Sequence, residues 1–170
     1  MQPRLLSLRW LRHLAENRGV LLAVDLGSAR IGVAACDESR ILAYPLETIP
    51  ASQEMTQRID ELVRQTGAGA LIVGYPLALD GHAGIAADKV HDLAHQLADK
   101  VEVPIWLVDE RMTTAEAHAK LRATGKNHRK AKKIVDAQAA VGILNSVLRA
   151  LEQGRTIHHE LELKETHDTA

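Results

Sequence analysis

The sequence contains few aromatic residues and almost no cysteine. Aromatic side chains make up 2% of the 170 residues, and phenylalanine is missing. Proteins that hold single-stranded nucleic acid stack its bases on aromatic rings, so this scarcity argues against that kind of ligand. Any nucleic acid is expected to be a duplex or a branched structure, bound through its charge and shape. The single cysteine, Cys36, excludes an internal disulfide and indicates a reducing compartment.

Long apolar runs are also missing. No stretch has the length of a membrane-spanning helix, and arginines interrupt the leucines of the N-terminal segment, which argues against a secretory signal. We expect residues 1–18 to form a basic amphipathic extension helix. Residues 19–152 should form one compact domain, because the chain is 46% apolar. Residues 153–170 should form a disordered polar tail. These features indicate a cytoplasmic protein without membrane contact.

The net charge of −1 hides a local excess of positive charge. Residues 120–133 carry seven basic side chains and no acid, so this segment is +7 and the rest of the chain is −8: Lys120, Arg122, Lys126, Arg129, Lys130, Lys132 and Lys133. Such a run is either a solvated loop or a surface for phosphate groups. Its place between two carboxylate motifs raises the second possibility to about the level of the first. We expect residues 126–133 to form a flexible loop that closes over a nucleic-acid backbone.

Hydropathy patterns predict an α/β fold. Apolar runs at 19–25, 30–37 and 41–49 lie close together along the chain, which is typical of an antiparallel meander. A helix beginning after a cap at Ser52 and ending at Gly67 follows. Then come a strand at 70–73, a helix at 86–97 and a strand at 104–108, an alternation typical of parallel pairing. A short helix capped by Thr113 and a final apolar helix at 133–151 complete the prediction. The result is a five-stranded mixed sheet with helices on both faces.

Acidic residues stand where these elements meet. Asp25 ends the first buried strand, Asp109 and Glu110 end the last one, and Asp136 is predicted in the first turn of the apolar final helix. A carboxylate facing an apolar interior is costly unless a cation compensates it. Acids converging on one sheet edge can share two Mg²⁺ or Mn²⁺ ions, which support phosphodiester hydrolysis.

Four segments in this order resemble the motifs of the YqgF/RuvX family. They are DLGSARIGVA at 25–34, GYPL at 74–77, DERMTT at 109–114 and KIVDAQAA at 133–140. The resemblance implies a ribonuclease H-like fold and a metal-dependent nuclease. The implied substrate is the 5′ end of pre-16S ribosomal RNA, with a Holliday junction as the alternative. It assigns Asp25, Glu110 and Asp136 as catalytic and metal-binding residues. Asp109 is a weaker candidate, because only one of two adjacent strand residues can point at the metals.

Some interpretations of the sequence stay open. Arg30 and Arg111 could position phosphate groups, together with Lys126, Arg129, Lys130, Lys132 and Lys133, or could pair with neighbouring acids. A homodimer would suit a junction resolvase, and a binding factor in transcription or ribosome assembly with vestigial acids is the non-enzymatic alternative. His91 and His95 share a helix face at a spacing that zinc sites use, although ordinary surface histidines are favoured.

Overall fold

The computed structural model describes residues 4–5, 14, 18–76, 84–109 and 130–153. Within them, six strands form one sheet: β1 (Arg4–Leu5), β2 (Leu21–Leu26), β3 (Arg30–Cys36), β4 (Ala43–Pro50), β5 (Ala70–Tyr75) and β6 (Ile105–Asp109). Their spatial order is β1-β6-β5-β2-β3-β4. The predicted five-stranded mixed sheet is confirmed, and β1 adds a two-residue strand at its edge.

Strand pairing follows the predicted pattern. Strands β2, β3 and β4 form the antiparallel meander, while β5 pairs in parallel with both β2 and β6. Pro45, which weakened the third strand prediction, lies in the edge strand β4 beside a bulge, where the register shifts between Val33 and Ala34. A proline is tolerated there because an edge strand has no second neighbour that needs its missing N–H.

Two helices cover one face of the sheet. Helix α1 spans Met55–Thr66 and ends at Gly67, whose φ of 64° is the left-handed conformation that favours glycine. The predicted cap at Ser52 is wrong, because the helix begins after Glu54; Ser52 Oγ instead accepts a 3.4 Å bond from the Glu54 N–H. Helix α2 spans Ile85–Ala98 and buries Ala87, Val90, Ala94 and Leu97.

The opposite face is covered by helix α3, which spans Lys130–Gln153. Its apolar side chains, among them Ala140, Leu144 and Val147, pack in one core with alternate strand residues such as Ala23 and Trp106. The other core contains the side chains of α1 and α2 and the intervening strand residues, among them Leu22, Val24 and Leu107. We call the two sides of the sheet the α3 face and the α1/α2 face.

Two predictions near charged segments were wrong. Arg4–Leu5 pairs in parallel with β6 instead of forming a helix, which provides a neighbour for a strand edge that would otherwise be exposed. Lys130, Lys132 and Lys133 belong to α3 and not to a loop, because lysine is a good helix former and the apolar stripe continues from them. The short helix after Thr113 and the tail after Gln153 lie outside the described residues.

No helix in the described part of the chain combines the length and apolarity needed to cross a membrane.

Candidate active site

Three parallel strands end at the same edge of the sheet. β2 ends at Leu26, β5 at Tyr75 and β6 at Asp109, and we call this the carboxyl edge. In open α/β sheets, ligands bind outside the carboxyl ends of the strands. Asp25 and Asp109 therefore lie at the edge where the sequence predicted an acidic cluster.

The alternation of side chains decides which face each acid occupies. In β2, Leu21 and Ala23 pack in the α3 core, whereas Leu22 and Val24 pack in the other core. Asp25 continues the first series, so its side chain lies on the α3 face. The carboxylate is neither fully buried nor fully exposed.

Asp25 lies between glycines of its two neighbouring strands. One glycine is its paired residue, and the other follows from continuing the register of the second pair of strands. It pairs with Gly32 of β3. In β5, Val24 pairs with Val73, so continuing the register by one residue brings Gly74 beside Asp25. Paired residues point to the same face, and glycine has no side chain. Neither of the two positions paired with Asp25 therefore carries a side chain.

The same cross-strand row contains a residue that the sequence analysis missed. Gly32 pairs on its other side with Thr48 of β4, so only a glycine separates Asp25 from a hydroxyl-bearing residue in this row. Arg30 lies diagonally from Asp25, two residues from Gly32 along β3, a separation that a long side chain can span. The register that brings Thr48 into the row depends on the bulge in β4, which no sequence pattern indicated.

Asp109 occupies the other face of the sheet. In β6, Ile105 and Leu107 pack in the α1/α2 core and Trp106 and Val108 in the α3 core, so alternation puts Asp109 with the first pair. It is 7% exposed and pairs with Tyr75. Burial, with a smaller contribution from the charge of Asp88, raises the pKa of the Tyr75 hydroxyl. Asp25 and Asp109 therefore share an edge but not a face.

The turn after Asp25 depends on a glycine. The Gly27 N–H donates to the Asp25 carbonyl at 3.2 Å, and a Cβ at Gly27 would lie 2.4 Å from the Arg30 carbonyl oxygen. Any larger residue would displace backbone, so Gly27 allows β2 to turn directly into β3. This explains the glycine of the first motif by close approach of the backbone.

The remaining site residues are only partly described. Asp136 lies in the second turn of α3, not in the first as predicted, because α3 begins at Lys130. Its side chain and those of Lys130, Lys132 and Lys133 lie outside the described part of the chain. Glu110, Arg111, Lys126 and Arg129 lie outside it altogether. Between the described residues, no group of three or more histidine, cysteine, aspartate or glutamate side chains could hold a metal ion.

Comparison with known proteins identifies the family. The family model described as "RuvX: Holliday junction resolvase" matches residues 19–150, which is most of the chain. The chain belongs to the RuvX family. The match covers both faces of the sheet and all four motifs.

Sequence relatives and a solved structure are similar to this RuvX-family chain over most of its length. The protein named "Putative pre-16S rRNA nuclease" in Cutibacterium acnes is 42% identical over 139 residues, covering 81% of this chain and 87% of its own. The protein of the same name in Streptomyces coelicolor is 44% identical over 137 residues, covering 79% and 82%. The structure of T. thermophilus RuvC with a Holliday junction substrate superposes with a TM-score of 0.51 at 18% identity, covering 81% of this chain and 98% of that one. The last similarity concerns the fold and confirms the predicted ribonuclease H-like architecture.

The described residues at the carboxyl edge of this RuvX-family chain suit a divalent cation. Mg²⁺ and Mn²⁺ prefer oxygen ligands and keep several waters, and Asp25 offers carboxylate oxygens beside two side-chain-free positions. Nitrogen and sulfur donors are not part of that row. The donor chemistry therefore matches a hard cation and not a soft one.

Proposed function

We propose that this chain is a metal-dependent nuclease that hydrolyses phosphodiester bonds at the carboxyl edge, on the α3 face of the sheet. The observation that carries the proposal is the row around Asp25, a partly buried carboxylate with glycines beside it in both directions. A carboxylate held partly out of water is a strong ligand for a hard cation. The glycines keep strand side chains out of both paired positions.

Glu110 is the proposed second ligand, in preference to Asp109. Asp109 belongs to the α1/α2 face together with Leu107, so it points away from Asp25. Glu110 is the next residue along the chain, and the two-residue period of a strand would assign it to the face of Asp25. The face of Asp109 therefore supports Glu110 as the ligand of the two adjacent acids.

Asp136 is the proposed third ligand. The length of helix before Leu148 and the length of strand before Asp25 support it. The C-terminal part of α3 lies at the sheet edge opposite the carboxyl edge, where Leu148 lines a cavity with Arg40 and Arg18. From Leu148 back to Asp136 is about 18 Å of helix. From Gly19 to Asp25 is about 20 Å of extended chain. Helix and strand run in opposite directions over similar distances, which supports the proposal that Asp136 lies level with Asp25.

Bound at these acids, two Mg²⁺ or Mn²⁺ ions would activate a water molecule and stabilise the departing oxygen of an in-line displacement. The chain's own contribution is positioning. Asp25 belongs to a strand that is paired on both sides, and Asp136 is carried by a helix whose buried Ala137 and Ala140 let it approach the sheet closely. Arg30, on the same face as Asp25, is proposed to contact the phosphate, together with Arg111.

The proposed substrate is structured pre-16S ribosomal RNA, processed at its 5′ end in the cytoplasm. The names of the two relatives support this substrate, and the low aromatic content suits a structured backbone. Basic side chains near the start of α3 are proposed to bind that backbone: Lys126, Arg129, Lys130, Lys132 and Lys133.

Paired substitutions at the adjacent acids and at Asp25 test the centre. A labelled pre-16S fragment is incubated with Mn²⁺ or Mg²⁺ and wild type, Asp25→Asn, Glu110→Gln or Asp109→Asn. We expect the first two variants to lose at least about a hundredfold in cleavage rate, the scale for removing a group that stabilises the transition state directly. Folded Asp109→Asn, verified by circular dichroism, should retain most activity. Full cleavage by Asp25→Asn would refute the assigned centre.

A four-way DNA junction tests the second candidate function. Junction resolution is supported by the description of the family model and by the fold similarity to RuvC. It requires two symmetric cuts and hence a homodimer, which analytical ultracentrifugation measures. If the junction is cut in preference to the RNA fragment and the protein sediments as a dimer, the resolvase function replaces the RNA-processing one. The assigned acids serve either reaction.

The binding surface has its own test. Charge reversal at Lys130, Lys132 and Lys133 should weaken RNA binding and flatten the dependence of the binding constant on salt, because fewer counterions are released. Matched reversal at Lys89 and Lys100, which lie on or just after α2, should leave the salt slope unchanged. An unaltered slope in the first variant would remove the start of α3 from the binding surface.

A further inference from the structure

Two histidines of α2 place their ring nitrogens close together. His91 Nε2 and His95 Nε2 lie 3.3 Å apart, and both side chains are half-buried. Residues four apart on a helix are neighbours on its surface. The pair flanks the buried stripe of Val90, Ala94 and Leu97, and neither histidine is fully buried.

The relative orientation of the rings distinguishes a hydrogen bond between the two nitrogens from joint binding of a third atom. Their centroids are 4.5 Å apart, and their planes are inclined by 64°. A head-on N–H···N hydrogen bond would add the radius of each ring to the distance between the nitrogens and separate the centroids further. The rings therefore meet edge to face and not head-on, and 3.3 Å is also long for a hydrogen bond of this kind. The arrangement suits two lone pairs that converge on a third atom.

A zinc ion matches the separation of the two nitrogens. Zinc binds histidine nitrogen at about 2.0–2.1 Å in a tetrahedral arrangement, which sets two such ligands about 3.3–3.4 Å apart. Imidazole suits zinc, whereas magnesium and calcium prefer oxygen. We propose that His91 and His95 bind one Zn²⁺ ion through their Nε2 atoms, with water completing its coordination. Small rotations of the rings would aim both lone pairs at the ion.

This site is separate from the proposed nuclease centre. α2 packs on the α1/α2 face, whereas Asp25 lies on the α3 face, so the sheet stands between the two. Three acids share the helix or its end: Asp88, Asp92 and Asp99. In the described part of the chain none of them completes a three-residue metal-binding group with the histidines. Water is therefore the expected remaining ligand, and the site is independent of whether the chain is a nuclease.

Calorimetric titration of the full chain with Zn²⁺, in excess Mg²⁺ and a mildly alkaline buffer, tests the proposal. Excess Mg²⁺ occupies carboxylate sites, and alkaline conditions keep ring nitrogens unprotonated, as metal binding requires. The test variants are His91→Asn and His95→Asn. One control is the double variant His158→Asn/His159→Asn, which removes two imidazoles elsewhere in the chain. The second control is Asp25→Asn.

We expect one Zn²⁺ per chain, bound roughly tenfold or more weakly in each test variant and unchanged in both controls. Wild-type affinity in the two test variants would overturn the proposal, as would loss of binding in either control. If a test variant does not fold, electron paramagnetic resonance of wild type with one equivalent of Cu²⁺ decides. Coupling to two equivalent imidazole nitrogens supports the site, and coupling to one or none refutes it.

Discussion

Polar side chains have different neighbours at the two ends of the sheet. At the end opposite the carboxyl edge, which we call the turn edge, Arg40 Nε donates to the Gly19 carbonyl at 2.8 Å and Nη1 donates to the Leu14 carbonyl. There too, Asp37 Oδ1 accepts the N–H groups of Ile41 and Leu42 at 2.8 and 2.6 Å. At the carboxyl edge, glycines stand beside Asp25. Polar side chains thus bond backbone groups at the turn edge, whereas at the carboxyl edge the positions paired with a carboxylate carry no side chain.

The comparison teaches where substitutions should harm activity and where they should harm stability. At the turn edge, Arg40 bonds backbone groups of distant segments and Asp37 bonds those of its own turn, so the loss of either side chain should weaken the fold. Positions around Asp25 contribute little side-chain volume of their own, so filling them should affect the reaction more than the fold. Four substitutions test this contrast, ordered by the size of the expected effect.

Filling the space beside Asp25 should have the largest effect. Gly32→Val places a branched side chain next to the carboxylate, on the same face. We expect cleavage of the pre-16S fragment to fall by about a hundredfold or more, the scale for displacing a reacting group by an ångström. Urea unfolding reports the folded fraction. The control is Gly69→Ala, where an added Cβ meets nothing within 4 Å. Wild-type cleavage by folded Gly32→Val would contradict the role of this space.

Gly27 is the exception to the contrast, because it lies at the carboxyl edge but acts through the backbone. In Gly27→Ala the added Cβ would meet the Arg30 carbonyl oxygen at 2.4 Å, so we expect a loss of about 1–3 kcal/mol in the free energy of unfolding. Gly142→Ala in α3, where nothing lies within 4 Å, should instead gain about 1 kcal/mol. Equal stability of the two variants would show that the turn adjusts freely.

Arg40 tests the turn edge. Arg40→Ala removes the donors to the Gly19 and Leu14 carbonyls and should cost roughly 1–2 kcal/mol of unfolding free energy, with cleavage unchanged. Arg40 has a φ of 60°, a conformation that favours glycine. Arg40→Gly should therefore be about 1 kcal/mol more stable than Arg40→Ala. Denaturant unfolding measures both, and a reversed order would mean that the backbone strain is relieved in the variants.

The smallest expected effect is on the stability of the fold at low pH. The Ser39 hydroxyl, followed by the backbone N–H of Leu42, lowers the pKa of Asp37. Since the folded state favours the ionised carboxylate, its contribution is present above the ordinary pKa of about 3.9 and is lost as the pH falls through the lowered value. Asp37→Asn should therefore flatten the pH dependence of stability below about pH 4. Thermal unfolding across that range measures it, and an unchanged slope would exclude Asp37 as a contributor.

Much of the architecture was predictable because hydropathy alternates with the period of each element. The meander, the parallel strands and the final helix were all predicted and observed. The errors lie where local pattern is weak. Arg4–Leu5 is too short to display a strand period, and the lysines before Asp136 resemble a solvated loop although they begin α3. Ser52 resembles a helix cap, but the turn that follows it delays the helix to Met55.

The candidate site was predictable only in part, for a related reason. Acids at strand ends are visible in the sequence, and Asp25 was identified from its place after a buried run. Thr48 was not, because its row depends on a bulge between β3 and β4. The preference for Glu110 over Asp109 likewise needed the core assignments of Ile105 to Val108.

The sequence by itself determined the order of the elements from β2 to α3, the family and the acids that end the buried strands. These are properties of short segments, set by side-chain period, turn residues and motif. The tertiary structure alone decided which faces Asp25 and Asp109 occupy and which residues pair with them. The reason is that side chains alternate along a strand, so a register shift of one residue exchanges the two faces. Register is fixed by hydrogen bonds and packing between segments far apart in the chain.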